Sequence, residues 1–201
     1  MPKPTQKIFT LRIALCDSKP EIWRRFQIRD DMTLGKLHDV IQIVMGWDDS
    51  HLHEFEDGKQ CYSKILPDEE SFGESPINED EIVVEQILNR KKKKLMYNYD
   101  MGDYWQHILV VEEIGEPDPK TFYPNCLEGA YAGPPEDCGG VWGYQNMLEA
   151  LADPNHDEHE FVVEWIGEEY DAEEFDLKGI NKVLKNFKRY RSGWDDFDGK
   201  Y

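Results

Sequence analysis

Residues 8–15 alternate with a period of two, Phe9, Leu11, Ile13 and Leu15 falling on one side and Ile8, Thr10, Arg12 and Ala14 on the other. Successive strand side chains point to opposite faces, so this spacing fits a sheet; an amphipathic helix needs apolar residues every three to four positions. The Asp17-Ser18-Lys19-Pro20 turn and a second strand over 22–28 complete a hairpin. Residues 95–99 and 104–114 form another around Asp100-Met101-Gly102-Asp103. A third, over 52–56 and 60–63, turns at Asp57-Gly58. These hairpins commit the first two-thirds of the chain to antiparallel sheet.

Helices are signalled by a different period. Thr33 is an N-cap for a helix with Leu34, Leu37, Val40/Ile41 and Val44/Met45 on one face, closed by Gly46. A short helix is expected over 83–88, and further helices over 141–151 and 157–166. The last of these is introduced by Asn155 with Glu158 three residues on, in the manner of a capping box. Leu177, Ile180, Val183/Leu184 and Phe187 make a final amphipathic helix. Residues 66–81 are expected as a surface loop, 90–94 as an exposed turn, and the Gly- and Pro-rich 117–140 as a long ordered loop. The expectation is one α+β domain spanning 1–201, with hairpins early and helices late. Its core covers about 7–187, and a flexible tail covers about 191–201.

A chain of 201 residues buries a sizeable core without disulfides, and an aromatic content of 12% sets it apart from disordered acidic tails. Its four cysteines, Cys16, Cys61, Cys126 and Cys138, form no Cys-x-x-Cys pair. The polar N-terminus has no signal-peptide core, and no run of 18 apolar residues spans a membrane. A cytoplasmic location with reduced thiols is the expectation.

The net charge of −19 is unevenly placed. Residues 121–177 contain 15 carboxylates and neither Lys nor Arg, whereas 178–201 hold 7 basic and 3 acidic side chains. The acidic half is unfit to grip phosphate, so nucleic acid is not expected there. The dense basic run Arg90-Lys91-Lys92-Lys93-Lys94 has no interleaved aromatics and reads as a charged turn that discourages edge association. The basic last helix is expected to fold back against the acidic stretch.

The densest polar grouping is His51, His53, Tyr99, Asp100, Asp103, Trp105 and His107. On an extended strand Asp103, Trp105 and His107 share a face, as do His51 and His53. If the two hairpins are neighbours, His53, Asp103 and His107 would form a mixed N/O site for Zn²⁺, Mn²⁺ or Fe²⁺, or a carboxylate–His pair for acid–base work. Equally, the Asp-x-Gly-Asp carboxylates would bond nearby backbone N–H groups and hold the hairpin to the core. Glu136 and Asp137 before Gly139-Gly140 either cap the helix that follows or leave the Gly-Gly amides to receive a small anion. Cys126 and Cys138, around the same loop, would be ordinary thiols or share a metal with a histidine.

Three phrases also carry a resemblance. They are His51-Leu52-His53-Glu54-Phe55, then Tyr97-Asn98-Tyr99-Asp100-Met101-Gly102-Asp103-Tyr104-Trp105-Gln106-His107, and then Cys126 followed by Pro134-Pro135-Glu136-Asp137-Cys138-Gly139-Gly140-Val141-Trp142-Gly143-Tyr144. In order and spacing the chain resembles the plasmid pRiA4b ORF-three-like family over about 7–187. The resemblance implies a compact α+β domain of bacteria and archaea, some of whose members travel on plasmids or insertion elements under a resolvase-like label. Recombinase chemistry does not carry over: it needs a Ser among several Arg, whereas Ser18, Ser50, Ser63, Ser71 and Ser75 lie in loops or turns and Ser192 has only Arg189 and Arg191 nearby.

The leading expectation is a non-enzymatic binding or interaction module. Its polar groove would lie between the hairpins and the 126–144 loop and would take an unknown protein or small ligand. No cofactor is required. The rivals are a metal-dependent hydrolase-like enzyme using the Asp/His cluster, and an accessory protein of mobile DNA elements.

Overall fold

The computed structural model describes residues 6–58, 60–65, 75–167 and 170–187. The alternating segments become strands β1 (Ile8–Leu15), β2 (Trp23–Arg29), β6 (Lys94–Tyr99) and β7 (Trp105–Gly115). With β3 (His53–Glu56), β4 (Cys61–Ser63), β5 (Ile77–Asn78) and β8 (Asn125–Ala130) they build an eight-stranded sheet in the order β5-β4-β3-β6-β7-β1-β2-β8. Register places the buried positions opposite one another: Leu11 faces Phe26 and Val111, Tyr97 faces Phe55 and His107, and Tyr99 faces His53 and Trp105. Every pairing is antiparallel except β4 with β5.

Helix α1 (Leu34–Met45) covers this inner face. Thr33 Oγ1 accepts the Lys36 N–H at its start, and Gly46 closes it in the left-handed conformation at φ 84°. The expected apolar stripe is present, but burial goes further: every helical residue except Lys36 is buried, His38, Asp39 and Gln42 included. The remaining helices are α2 (Val84–Ile87), α3 (Gly140–Ala152), α4 (His159–Ile166) and α5 (Leu177–Leu184). No helix among the described residues is long and apolar enough to cross a membrane. The expected tail over 191–201 lies outside the described residues.

Arg24 ties the last turn of α1 to the sheet. Its buried guanidinium donates from Nε to the Val44 carbonyl and from one terminal nitrogen to the carbonyls of Trp23 and Ala130. A cation on the last carbonyls of a helix suits the dipole there. Helix α5 closes the β8 edge: Asn181 accepts the Cys126 N–H and donates to the Cys126 carbonyl, acting as a one-residue strand partner. The basic helix thus does meet the acidic stretch, through an amide and its apolar stripe. Lys185 lies over the Phe122 ring.

Three local expectations change. The 117–140 loop contains β8, which Asn125, Glu128 and Gly129 disguise because an edge strand with one buried residue shows no clean alternation. Within the expected 66–81 loop, 77–78 form β5 and Glu79–Glu81 a 3₁₀ turn, and Glu79 is buried by the His53 imidazole described below. Asn155 does not cap α4; its own amide N–H bonds Asp153, and the helix begins after Glu158.

The Gly- and Pro-rich phrase allows close packing. At Gly133 a Cβ would strike the Met45 carbonyl, and at Gly140 (φ +68°) one would strike the Asp103 carbonyl. Replacing Gly140 by Ala is expected to cost about 2 kcal/mol or more in urea unfolding, combining strain with overlap. Gly115→Ala, where a Cβ meets nothing within 4 Å, is expected to stay within about 0.5 kcal/mol of the parent.

Candidate functional site

Burying His38 and Gln42 in a helix is tolerable only if their polar atoms find partners. They do so in a closed ring. His38 Nε2 lies 2.8 Å from Asp49 Oδ1 and Nδ1 lies 2.8 Å from Tyr97 Oη, while Gln42 Nε2 donates to Tyr97 Oη at 3.0 Å and Gln42 Oε1 accepts the Asp49 N–H at 2.9 Å. An ionised Asp49 needs a proton on Nε2, and burial, with His53 adding to it, lowers the His38 pKa well below its ordinary 6.5. His38 is therefore neutral with the proton on Nε2, and the Tyr97 O–H donates to Nδ1. Burial also raises the Tyr97 pKa, which keeps that proton in place.

His53 stacks on His38 with ring centroids 3.4 Å apart and planes 4° from parallel. Its Nε2 is 2.8 Å from Oε2 of buried Glu79. His38 and Asp49 of the ring and the His53–Glu79 pair line a polar cavity of about 270 Å³ together with Gly35, Lys36, Asp39, Lys64 and Asp80. His38, Asp49 and His53 offer ligand atoms within 4.8 Å of one another. Parallel rings, however, confine their in-plane lone pairs to parallel planes, so one ion cannot lie in both ring planes. Both Nε2 atoms are already engaged by carboxylates.

On the other side of Tyr99 lies a second constellation. Tyr99 Oη donates to Glu136 Oε1 at 2.5 Å and accepts the Ser50 N–H, and Glu136 also accepts the Asp48 N–H. Burial, and then Glu136, raise the Tyr99 pKa. Asp103 Oδ2 accepts the Gly139 N–H, and Trp47 Nε1 donates to the Pro134 carbonyl. Asp100 Oδ1 accepts the Gly102 N–H, leaving Oδ2 3.7 Å from His51 Nε2, and Asp137 Oδ1 lies 3.2 Å from the same nitrogen.

The residues expected in one pocket are thus distributed over three environments. His51, Tyr99 and Asp100 meet Glu136 and Asp137, and His53 turns to Glu79. Trp105 and His107 are fully buried against Trp47, with His107 Nδ1 bonding the Trp105 carbonyl. Asp103 lies in the turn before β7, so it shares no strand face with them. His53, Asp103 and His107 do not converge: Tyr97 packs between the two rings, and neither Asp103 nor His107 joins a metal-compatible group among the described residues. The Gly139 amide is occupied by Asp103, and the N-cap of α3 is Gly139 itself with no side-chain cap, so neither Glu136 nor Asp137 caps that helix. All four cysteines are free, and burial pushes the thiol pKa of Cys126 up to about 11 and of Cys138 up to about 12.

Sequence reasoning missed His38, Gln42, Asp49 and Glu79. The available signal was a His and a Gln one turn apart inside an otherwise apolar helix. Burial also lowers the His107 pKa from 6.5 to about 3. Between those values the unfolded chain binds a proton that the folded chain refuses, so stability is full above pH 7 and is lost as pH falls from 6.5 towards 3. His107 is expected to remove about 2 kcal/mol between pH 7.5 and pH 5, with His38 acting in the same direction. Urea titrations at each pH check this, and His107→Leu should flatten the profile by that share.

The comparisons agree with this architecture. A family profile described as plasmid pRiA4b ORF-3-like protein matches residues 7–179. The uncharacterized protein y4hQ of Sinorhizobium fredii (strain NBRC 101917 / NGR234) is 36% identical over 179 residues, 88% of this chain and 90% of its own. The crystal structure of MM3350, a protein of unknown function from Methanosarcina mazei Go1, is similar with a TM-score of 0.76 and 37% identity, covering 87% of this chain and 97% of that one. With its profile matched from β1 to the start of α5, the chain belongs to the plasmid pRiA4b ORF-3-like family.

Proposed function

We propose that this chain is a cytoplasmic binding module whose ligand site is the polar cavity between α1, β3 and the Glu79–Glu81 turn. The observation that carries this reading is the floor: two stacked imidazoles, each held to a buried carboxylate, form a rigid polar surface under about 270 Å³ of space. A rigid, satisfied wall lowers the ordering cost of binding. Four carboxylates (Asp39, Asp49, Glu79 and Asp80) line the cavity against two ammonium groups (Lys36 and Lys64), and Lys36 is already paired with Asp39 at 2.6 Å, so the lining is net negative and the ligand is a small cationic one. The four free thiols fit a reducing compartment. A binding role is favoured over base catalysis at His38, because Asp49 and Tyr97 engage both of its ring nitrogens.

Short diamines and guanidines, with dicarboxylates of equal length for comparison, test this by calorimetry and thermal shift. The cationic compounds should bind and raise Tm. Asp80→Asn should weaken them at least about fivefold, the roughly 1 kcal/mol of one solvent-facing charge at contact distance. Binding only of the dicarboxylates, or an unchanged affinity in Asp80→Asn, would refute the assignment.

A further inference from the structure

His51 Nε2 is closed off from solvent and lies 3.2 Å from Asp137 Oδ1 and 3.7 Å from Asp100 Oδ2, yet among the described residues it has no hydrogen-bond partner. A histidine placed to hold a carboxylate would aim its N–H along one of those lines, as His38 and His53 do at 2.8 Å. The separations instead match the edges of a coordination polyhedron. Two ligands each about 2.1 Å from a zinc-sized ion at a tetrahedral angle stand about 3.4 Å apart, with the lone pair aimed at the ion and not at the neighbouring ligand.

We infer that His51 Nε2, Asp100 Oδ2 and Asp137 Oδ1 form a divalent transition-metal site. The three ligand atoms lie within 4.8 Å of one another. Each ligand arrives from a different segment and two are held in place. Asp100 is fixed by its N–H to the Leu52 carbonyl and by Oδ1 on the Gly102 N–H, an outer-shell bond that orients Oδ2. His51 follows Ser50, whose N–H is bonded to Tyr99, and the Tyr99 ring meets the His51 ring edge-on at 5.9 Å. Asp137 follows Glu136, which Tyr99 also holds. The Asp137 side chain is 73% exposed, so the solvent side of the ion stays open to water or to a ligand.

One imidazole with two carboxylates selects Zn²⁺, Mn²⁺ or Co²⁺ over Mg²⁺ and Ca²⁺, which take oxygen alone. This site is independent of the polar cavity, which lies across Tyr99 and whose histidines have other partners.

The test uses the full chain, purified without a His tag and stripped by chelator, titrated with Zn²⁺, Mn²⁺, Co²⁺, Mg²⁺ and Ca²⁺ by calorimetry, with Co²⁺ also followed by its visible spectrum. One equivalent of Zn²⁺ or Co²⁺ should bind, at least tenfold more tightly than Mg²⁺ or Ca²⁺. Asp137 has a left-handed backbone at φ 60°, which Asn also tolerates, so Asp137→Asn keeps the fold and should weaken Zn²⁺ at least tenfold. His51→Ala should abolish the Co²⁺ spectrum, whereas Asp80→Asn in the cavity should leave metal affinity unchanged. Absence of stoichiometric binding, equal affinity for Mg²⁺, or affinity unchanged in both Asp137→Asn and His51→Ala overturns the site.

Discussion

The hydrogen bond between His38 on α1 and Tyr97 on the central strand β6 is the constraint around which the polar half of the molecule is arranged. A helix buried on nearly every side admits a histidine only if both ring nitrogens are satisfied, and each satisfied nitrogen fixes another element. Nδ1 fixes the helix to the sheet through Tyr97, and Nε2 fixes the turn after the helix through Asp49, which Gln42 holds by its backbone N–H. The stacked His53 extends the arrangement to Glu79 and so pins the 3₁₀ turn beside the first turn of α1. Because the turn after α1, which carries Asp49, leads through Ser50 to His51, the geometry of the second constellation follows from the first.

The phrases that mark the family are read differently once folded. Most of their groups join one segment to another: Asp103 to Gly139, Trp47 to Pro134, Tyr99 to Glu136, and Gly133 and Gly140 against neighbouring carbonyls. Within the Asp-x-Gly-Asp turn, Asp100 makes the expected local bond to the Gly102 N–H with one oxygen, whereas Asp103 reaches the distant Gly139 N–H. What remains after those joins is the second oxygen of Asp100 and the carboxylate of Asp137, both facing His51.

Much of the fold was legible in the sequence because it rests on local patterns. The period-two alternation of 8–15 and 104–114 located the central strands, and Thr33 with Gly46 bounded α1. The unread parts depend on distant partners. Residues 125–130 become a strand because β2 offers an edge, Arg24 takes the Ala130 carbonyl and Asn181 closes Cys126. Glu79 sits in a stretch whose acidic composition reads as solvated loop, yet it is buried because His53 awaits it. His38 was hidden by its apolar neighbours. For the candidate site, the residue types were legible and the grouping was not: a turn that ends β6 at Tyr99 sends Asp100 and Asp103 away from Trp105 and His107, which alternation alone would have kept on one face.

The charge state and tautomer of His38 test this arrangement most directly. Long-range ¹H–¹⁵N correlation spectra of the folded protein at neutral pH report both. The structure requires a neutral ring protonated on Nε2, with Nδ1 accepting from Tyr97. A His38 imidazolium, or a neutral ring protonated on Nδ1, would contradict the ring of bonds that joins α1 to the sheet.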